Sequence, residues 1–553
     1  MSMFSTGILV LTSPLHTLPL RIAPVLSSAA QVVERTLYVH LHPGLNLVNG
    51  SQSRPIFIPP VVDLSTLIAG LYSNAANICA DLDVCVLVTN ISSQAATTIP
   101  NCPFPTPQHL SHSPEVVLTD FPLQDRGQSQ QVKWCLQKYT GQCYFCSPSI
   151  ASVLLQPQPA KLQEEDRQKG CEEQSKPLET FKDVVVGGTF DRLHGAHKAL
   201  LNMSCVLANR RLLIGVCDQG MLKKKVLKDL IEPYDVRVQR VQEFLHDVRP
   251  SLQVEIVPLD DPFGKSVIDP LLQCIVVSEE TLKGGEAVNK KRVENGLPPL
   301  VLHEIQLLKD AHRTETEEEK ISSSSLRSRL LGTLLKAPQD TSHLPLLPYV
   351  IGLTGVSGSG KTSIAKHLEA LGAVWIDCDK LGHEVYQPGA AAYYRVIKEF
   401  GSDILNDDKT INRQVLGKKV FGNQEQLKVL TDIVWPEIVL LAKKRIAQAR
   451  EEGKQVCVLD AAVLLQAGWT DMVHEVWVTL IPEEEALSRI MARDGVRAGD
   501  ALHRLQSQWS NAKHVEHASV VLSTFWEPEV TQKQVLKAWR LLQKRIQEKL
   551  EAQ

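Results

Sequence analysis

Short uninterrupted apolar runs recur along the last two thirds of this chain, each followed by a turn and an amphipathic stretch. Residues 184–186 (Val-Val-Val), 212–216 and 274–277 are continuous apolar runs, the pattern of strands covered on both faces. Residues 254–257 are similar but carry Glu255, which predicts a strand nearer a sheet edge. The stretch 234–248 has helical periodicity and separates two of the runs. The texture restarts at 349–353, continues through a run at 373–379 that ends in acids, and returns at 456–459 before Asp460. Strands alternating with helices predict βαβ units and hence parallel sheets. Near the end, Val535, Trp539, Leu542, Ile546 and Leu550 recur at helical spacing, predicting an amphipathic helix.

The first third is less regular. Apolar strand candidates at 7–11, 36–41 and 83–88 are mixed with Pro, Ser and Asn clusters, so residues 1–155 read as an irregular α/β region of unassigned role. Residues 156–179, QPQPAKLQEEDRQKGCEEQSKPLE, are polar and proline-containing; such a segment cannot bury a core and reads as a linker. KAPQDTSHLP, from Lys336 to Pro345, marks a second linker, 336–347. The expected domains are therefore 180–335 and 348–553. No repeat with a period of about 20–50 residues is present.

Composition narrows the class. Across 553 residues, 43% hydrophobic and 22% charged side chains with a net charge of −3 describe a soluble globular chain with no basic field for nucleic acid or anionic membrane. The twelve cysteines are scattered. Only Cys143 and Cys146 are closely spaced, no second pair completes a zinc site, and His40 and His42 are poor partners for them. Reduced core cysteines of an intracellular protein are the better reading. No transmembrane span is evident, because Pro14, His16 and Pro19 interrupt the uncharged start. The first acid, Glu34, fits a mitochondrial address, but Arg21 is the only Lys or Arg before it. A buried strand at 7–11 competes with that reading. The expected location is cytoplasmic or mitochondrial.

The strongest chemical signal is Gly355-Val356-Ser357-Gly358-Ser359-Gly360-Lys361-Thr362. It satisfies G-x-x-x-x-G-K-[ST] between an apolar run and a helical stretch, the context that motif requires. The glycines let backbone N–H groups converge on phosphate oxygens, and the helix N-terminus adds partial positive charge. Lys361 reaches the β- and γ-phosphates of ATP, and the Thr362 hydroxyl holds Mg²⁺. A GTPase would carry Asn-Lys-x-Asp downstream; the one candidate, Asn289-Lys290-Lys291-Arg292, lacks the acid and lies upstream. Instead, Asp377 and Asp379 end a strand after the first helix, where α/β ligands bind. Asp377 is placed to accept a proton from a hydroxyl; the alternative is that both acids cap the next helix. Asp460 ends a later strand. Arg489, Arg493 and Arg497 recur every four residues, predicting one helical face able to close over transferred phosphate, against a plain solvated stripe.

GLTGVSGSGKTS, IDCDKLGHEVYQPG, INRQVLGKKVFGN and IVWPEI together resemble the dephospho-coenzyme A kinases over most of residues 349–527. The resemblance implies that Asp377, with Asp379 its partner in a D-x-D pair, takes the ribose 3′-hydroxyl proton. Arg413 falls in the substrate region. Asn412 stands where that family usually has Asp, and Trp435 where it usually has His.

A second site is suggested by DVVVGGTFDRLHGAHKALL, residues 183–201. His194 and His197 follow a strand and the Gly187-Gly188 turn, and a spacing of three puts both rings on one helical face. A metal pair, a phosphate site and an ordinary turn compete. Metal needs a third ligand and usually an adjacent acid, which Gly195 and Ala196 do not supply. A phosphate site needs donors along a helix dipole and small residues between them, which Gly195 and Ala196 do supply, with the Thr189 hydroxyl beside Gly188. ISSSSLRSRLL, residues 321–331, adds Ser322, Ser323, Ser324 and Arg327 for polyphosphate. The two segments resemble the H-x-G-H and I-S-S-T-x-x-R signatures of nucleotidyltransferases, and most closely the phosphopantetheine adenylyltransferases, over about 182–335. Ala196 departs from that family's glycine. A class I aminoacyl-tRNA synthetase shares the histidine motif, but here a serine run replaces its Lys-Met-Ser-Lys-Ser loop.

That resemblance implies attack by the phosphate of 4′-phosphopantetheine on the α-phosphorus of ATP. His197 would stabilise the transferring group, His194, Ser323, Ser324 and Arg327 would hold the nucleotide, and Lys223 in MLKKKV would hold the acceptor phosphate, unless that cluster is merely solvated. The expected fold is thus α/β: two parallel-sheet nucleotide-binding domains, one nucleotidyltransferase Rossmann-like and one P-loop kinase, behind an irregular α/β region. The expected function is adenylyl transfer yielding dephospho-CoA, followed by its phosphorylation, with ATP as co-substrate in both steps and Mg²⁺ as cofactor. The rival is a nucleotide-sensing scaffold with inactive sites, whose residues 1–155 recruit protein partners.

Overall fold

A buried central strand, β1 (Phe4–Leu11), starts the first of three five-stranded parallel sheets in the computed structural model of the chain. The described residues are 3–48, 54–59, 62–92, 102–123, 125–156, 178–314, 317–338, 340–420 and 423–552. All of the linker expected at 156–179 except its ends lies outside them.

In the first sheet β1 is followed by α1 (Leu18–Ala30), β2 (Val33–Leu41), α2 (Val62–Ile78), β3 (Asp83–Leu87), β4 (Val116–Thr119), α3 (Ser129–Cys143) and β5 (Ala151–Leu154). Strand order is β3-β2-β1-β4-β5, and every pairing is parallel. The region read as irregular is therefore a regular parallel sheet. Pro43, Pro103 and Pro122 sit in connections while Pro19 and Pro24 lie within α1, and β4 and β5 have four residues each, too few to show a period. His40, weighed as a partner for the cysteine pair, is wholly buried between the hydroxyls of Tyr144 at 2.8 Å and Tyr139 at 2.7 Å.

The second sheet repeats this plan. Its elements are β6 (Phe181–Gly188), α4 (Gly195–Leu207), β7 (Ala208–Cys217), α5 (Tyr234–Val248), β8 (Gln253–Leu259), β9 (Cys274–Ser278), α6 (Leu282–Glu294) and β10 (Val301–Ile305), followed by α7 (Ser323–Leu330). The order is β10-β9-β6-β7-β8, again all parallel with the first strand central. β8 is an edge strand, as Glu255 suggested, and that carboxylate accepts from Arg211 at 3.0 Å and Lys265 at 2.7 Å. Both sheets lie in one compact unit, residues 1–326, and share a hydrophobic cluster that draws on Ile8, Tyr72, Ala199 and Ile214 alike.

Residues 327–553 form the other unit. It contains β11 (Tyr349–Thr354), α8 (Lys361–Ala370), β12 (Val374–Asp377), α9 (Cys378–Glu384), α10 (Ala391–Phe400), α11 (Arg413–Val420) and α12 (Gln424–Glu451). β13 (Val456–Asp460), β14 (Glu475–Leu480), α13 (Glu483–Asp494), α14 (Ala498–Gln506), α15 (Asn511–Glu516), β15 (Val520–Ser523) and α16 (Pro528–Glu551) complete it. The parallel order is β12-β13-β11-β14-β15. α16 packs Val535, Leu542 and Ile546 into the core with Trp539 beside them, while Leu550 is exposed.

Candidate active sites

In the second sheet, the chain leaves β6 through Gly188 and Thr189 into a strained turn. Phe190 and Arg192 adopt left-handed backbone angles, φ 50° and 49°, a conformation that costs a non-glycine residue free energy and persists only when the surroundings hold it. Buried Arg237 supplies one hold, donating to the carbonyls of Thr189 at 2.7 Å and Cys217 at 2.8 Å, and so tying the ends of β6 and β7. Asp191, fully buried, supplies another by accepting from the Glu232 amide at 3.0 Å.

His194 is the N-cap residue of α4, and His197 lies in its first turn. Their rings stack with centroids 3.8 Å apart and planes 22° from parallel, so the spacing of three does put both on one face. Phe190 packs against His197 at 5.3 Å between centroids. The serine run joins them. His194 Nε2 is 3.3 Å from Ser323 Oγ, and that hydroxyl donates to the Asp191 carbonyl at 3.2 Å, which leaves the imidazole nitrogen as donor to the serine. Two segments 129 residues apart are thereby one site. Ser322 Oγ accepts from the Ser325 amide at 3.1 Å at the start of α7; Ser324 and buried Arg327 are also on α7.

Burial, reinforced by the charge of Lys225, pushes the His197 imidazole down to about 3. It is neutral at physiological pH, so it acts as a hydrogen-bond donor or acceptor and not as a cation. Burial and Lys225 also lower Lys320, which is ion-paired with Glu280. Repelling cations around a neutral imidazole suit an anionic ligand. Sequence reasoning singled out Lys223; the lysine whose charge is felt at His197 is Lys225, two residues on, and both are exposed. Arg237 carried no motif signal, because its role depends on α5 folding back on the Thr189 turn; Lys225 lies in the same MLKKKV cluster as Lys223.

In the third sheet, β11 delivers the phosphate loop. Gly355, Gly358 and Gly360 have φ of 147°, 79° and 82°. An added Cβ would lie 2.5 Å from the Thr479 carbonyl oxygen at Gly355 and 2.8 Å from Thr524 at Gly360, so the loop demands glycine both for conformation and for room. Val356 and Ser359 are buried, and the Ser357 amide donates to Gln508 Oε1 at 2.8 Å. Lys361 begins α8 and curls back to the Gly355 carbonyl at 3.0 Å, with Thr362 next to it. Burial lowers the Lys361 ammonium, against the pull of Asp460 and Asp379.

Asp377 and Asp460 are directly paired in register at the C-terminal ends of β12 and β13. Burial, then the carboxylates of Asp377 and Asp379, push Asp460 up to about 6, with Lys361 opposing. Asp377 is also the N-cap of α9, accepting from the Lys380 amide at 3.1 Å. Asp377 therefore caps α9 from the C-terminal end of β12, whereas Asp379 lies in the first turn of that helix. The hydroxyl of Thr362 and the carboxylate of Asp460 are hard oxygen donors that suit Mg²⁺. Among the described residues no three His, Cys, Asp or Glu side chains form a metal cage; nucleotide phosphates would complete the shell.

Arg413 opens α11 and donates to His383 of α9 at 2.6 Å. Arg489 donates to Thr524 Oγ1 at 2.9 Å, and that hydroxyl donates to the Ser359 carbonyl at 2.8 Å, linking α13 to the phosphate loop. Arg493 grips Asp494 through two bonds of 2.7 and 2.9 Å, and its charge is felt at Lys361. The expectation of three arginines on one helical face is corrected here. Gly495, φ 64°, terminates α13, and Arg497 is the N-cap of α14. A left-handed glycine ends a helix by turning the chain away from its axis, so four-residue spacing across it means nothing.

Comparison with known proteins gives three family matches: COASY N-terminal domain over residues 5–155, cytidylyltransferase-like over 185–329, and dephospho-CoA kinase over 349–525. A dephospho-CoA kinase of Carboxydothermus hydrogenoformans is 41% identical over 187 residues, covering 34% of this chain and 91% of that protein. One from Geobacter sulfurreducens is 38% identical over 190 residues, 34% of this chain and 96% of that protein. A phosphopantetheine adenylyltransferase of Saccharomyces cerevisiae is 38% identical over 175 residues, which are 32% of this chain and 55% of that protein.

Proposed function

The chain belongs to the dephospho-CoA kinase family, and from that premise we infer that it carries out the last two steps of coenzyme A biosynthesis, as a bifunctional coenzyme A synthase. The observation that carries the first step is the His194–Ser323 contact, which unites two signature segments beside the neutral His197. Residues 180–335 transfer the adenylyl group. A phosphate oxygen of 4′-phosphopantetheine attacks the α-phosphorus of ATP, the bond to the bridging oxygen breaks, and pyrophosphate leaves. The nucleophile is already anionic, so catalysis is positioning plus donation to the crowded phosphoryl oxygens. His197 donates there. His194, Thr189, Ser322, Ser323, Ser324 and Arg327 hold the nucleotide over Gly188, and Lys223 or Lys225 holds the acceptor phosphate.

Residues 348–553 then phosphorylate the product. Gly355 through Thr362 cradle the ATP phosphates, and Lys361 draws charge from the β- and γ-oxygens. Asp377 accepts the proton of the ribose 3′-hydroxyl as that oxygen attacks the γ-phosphorus and ADP departs. Asp379 and Arg413 position dephospho-CoA, and Arg489 and Arg493 neutralise transferred charge. Mg²⁺, held by Thr362 and Asp460, would offset charge on the phosphates.

The test is product analysis after incubating the chain with 4′-phosphopantetheine and Mg-ATP. Lys361→Ala is expected to stop at dephospho-CoA. His197→Ala is expected to form neither product, yet to convert supplied dephospho-CoA at the unmodified rate. No product from the unmodified chain would favour the nucleotide-sensing scaffold. Among the described residues no helix is long and apolar enough to cross a membrane. Imaging a fusion of the full chain tests cytoplasmic against mitochondrial residence.

A further inference from the structure

Nothing in this chemistry uses residues 1–155, yet they repeat the architecture of the adenylyl-transferring sheet element for element. In both, strand-helix-strand-helix-strand is followed by strand-helix-strand, and the first strand is central. The repetition stops at the chemistry. Where α4 has His194 as N-cap and His197 as its third residue, α1 has Thr17 as N-cap and an exposed Leu20 as its third residue. The first sheet has no imidazole to offer at that place.

What it does have is a hold on the catalytic helix. α2 packs along α4, and the backbone of Tyr72 lies against Gly195, between the two histidines; a Cβ there would touch the Tyr72 carbonyl oxygen at 3.5 Å. Lys198, the residue after His197, is buried, and its ammonium ion-pairs with Asp83 at the start of β3 and donates to the Val84 carbonyl at 3.1 Å. One turn on, Asn202 is fully buried. It accepts from the Tyr72 hydroxyl at 2.6 Å and donates to the Val86 carbonyl at 2.7 Å, while the Val86 amide donates to the Tyr72 oxygen at 3.0 Å. β3 is an edge strand, and its outward backbone groups would otherwise be unpaired. α2 and α4 complete that edge.

A second clamp grips α5. Asp247 accepts from the Tyr38 hydroxyl at 2.8 Å and from the Ser111 amide and hydroxyl at 2.8 and 2.9 Å, and the Val88 amide donates to the Val248 carbonyl at 3.1 Å. α5 also carries Arg237, which pins the Thr189 turn. Both helices that shape the nucleotide site are thus held from the first sheet by directional contacts, buried except on the Asp83 side of its ion pair, which specify one arrangement where apolar packing alone tolerates several.

We propose that the first sheet is a catalytically silent twin of the second, and that Asp83 and Tyr72 are positioning residues for adenylyl transfer, acting through Lys198 and Asn202 to set the placement of His194 and His197. The inference rests on the adenylyl-transfer reading of the second sheet.

The test measures both reactions on the full chain carrying Asp83→Asn, Asp83→Glu or Tyr72→Phe, with kinase turnover of supplied dephospho-CoA as internal control. The Asp83 side chain is more than half exposed, so replacing it does not open a cavity. Misplacing the imidazoles is expected to lower kcat for adenylyl transfer by roughly tenfold to a hundredfold in Asp83→Asn and Tyr72→Phe. KM for ATP should change far less, Asp83→Glu should recover most of the rate, and kinase turnover should hold. Unchanged adenylyl transfer in both variants overturns the proposal. So does a proportional loss of both reactions, which would mean general unfolding. If the unmodified chain makes no dephospho-CoA, the reading of the second sheet has failed instead.

Discussion

Replacing Asp460 by Asn should stabilise the kinase unit at neutral pH while abolishing or crippling its chemistry. In the folded chain burial raises this carboxyl from 3.8 to about 6. The native state therefore binds the proton more tightly than the unfolded one, and stability falls as pH climbs through that window. Below 3.8 both states are protonated and the penalty vanishes; above 6 it is complete. That rise corresponds to about 3 kcal/mol at pH 7.5, and the same relation leaves roughly half of it at pH 5. Asn is neutral in both states, so its advantage should grow by about 1–2 kcal/mol between those pH values. For a unit of this size that is a differential rise of roughly 3–6 °C in Tm. Calorimetry of the unmodified and Asp460→Asn chains at pH 5 and 7.5, with the kinase transition identified by its shift on adding ADP, measures it. An advantage that is equal at the two pH values, or a loss of stability at both, would refute the burial argument. It would mean that Lys361 compensates the carboxylate fully.

Gly360→Ala places a methyl 2.8 Å from Thr524 at φ 82°, adding left-handed strain of about 1–2 kcal/mol and disturbing the Arg489–Thr524–Ser359 chain. Phosphorylation of dephospho-CoA should fall by roughly tenfold or more with adenylyl transfer intact, both read by product chromatography. Ser323→Ala removes the His194 partner, a loss of about 1 kcal/mol. Adenylyl transfer should weaken severalfold, and an unaltered kcat/KM would show that the contact does not serve the nucleotide.

The chemistry that lay in a few adjacent residues was legible in the sequence. The phosphate loop could be read because its function depends on local backbone freedom, and the structure supplies the left-handed glycines at 355, 358 and 360. The stacking of His194 on His197 follows from three-residue spacing at a helix start. Continuous apolar runs announced the parallel strands of the second and third sheets, because strands covered on both faces cannot afford polar positions. Gly495 is a local signal of the same kind, since it ends α13 and separates Arg497 from the helix of Arg489 and Arg493.

The remainder is a matter of distance along the chain. The pairing of Asp377 with Asp460 is a register between strands. The role of Lys225 at His197 and of Arg237 at Thr189 depends on loops returning to one sheet edge. The regularity of residues 1–155 was hidden because β4 and β5 have only four residues each and long connections separate β2 from β3 and β3 from β4, so the alternation of strand and helix is diluted. The grip of Tyr72 and Asp83 on α4 could be known only from the fold, since buried hydrogen bonds between residues more than a hundred positions apart leave no mark on the spacing of either segment.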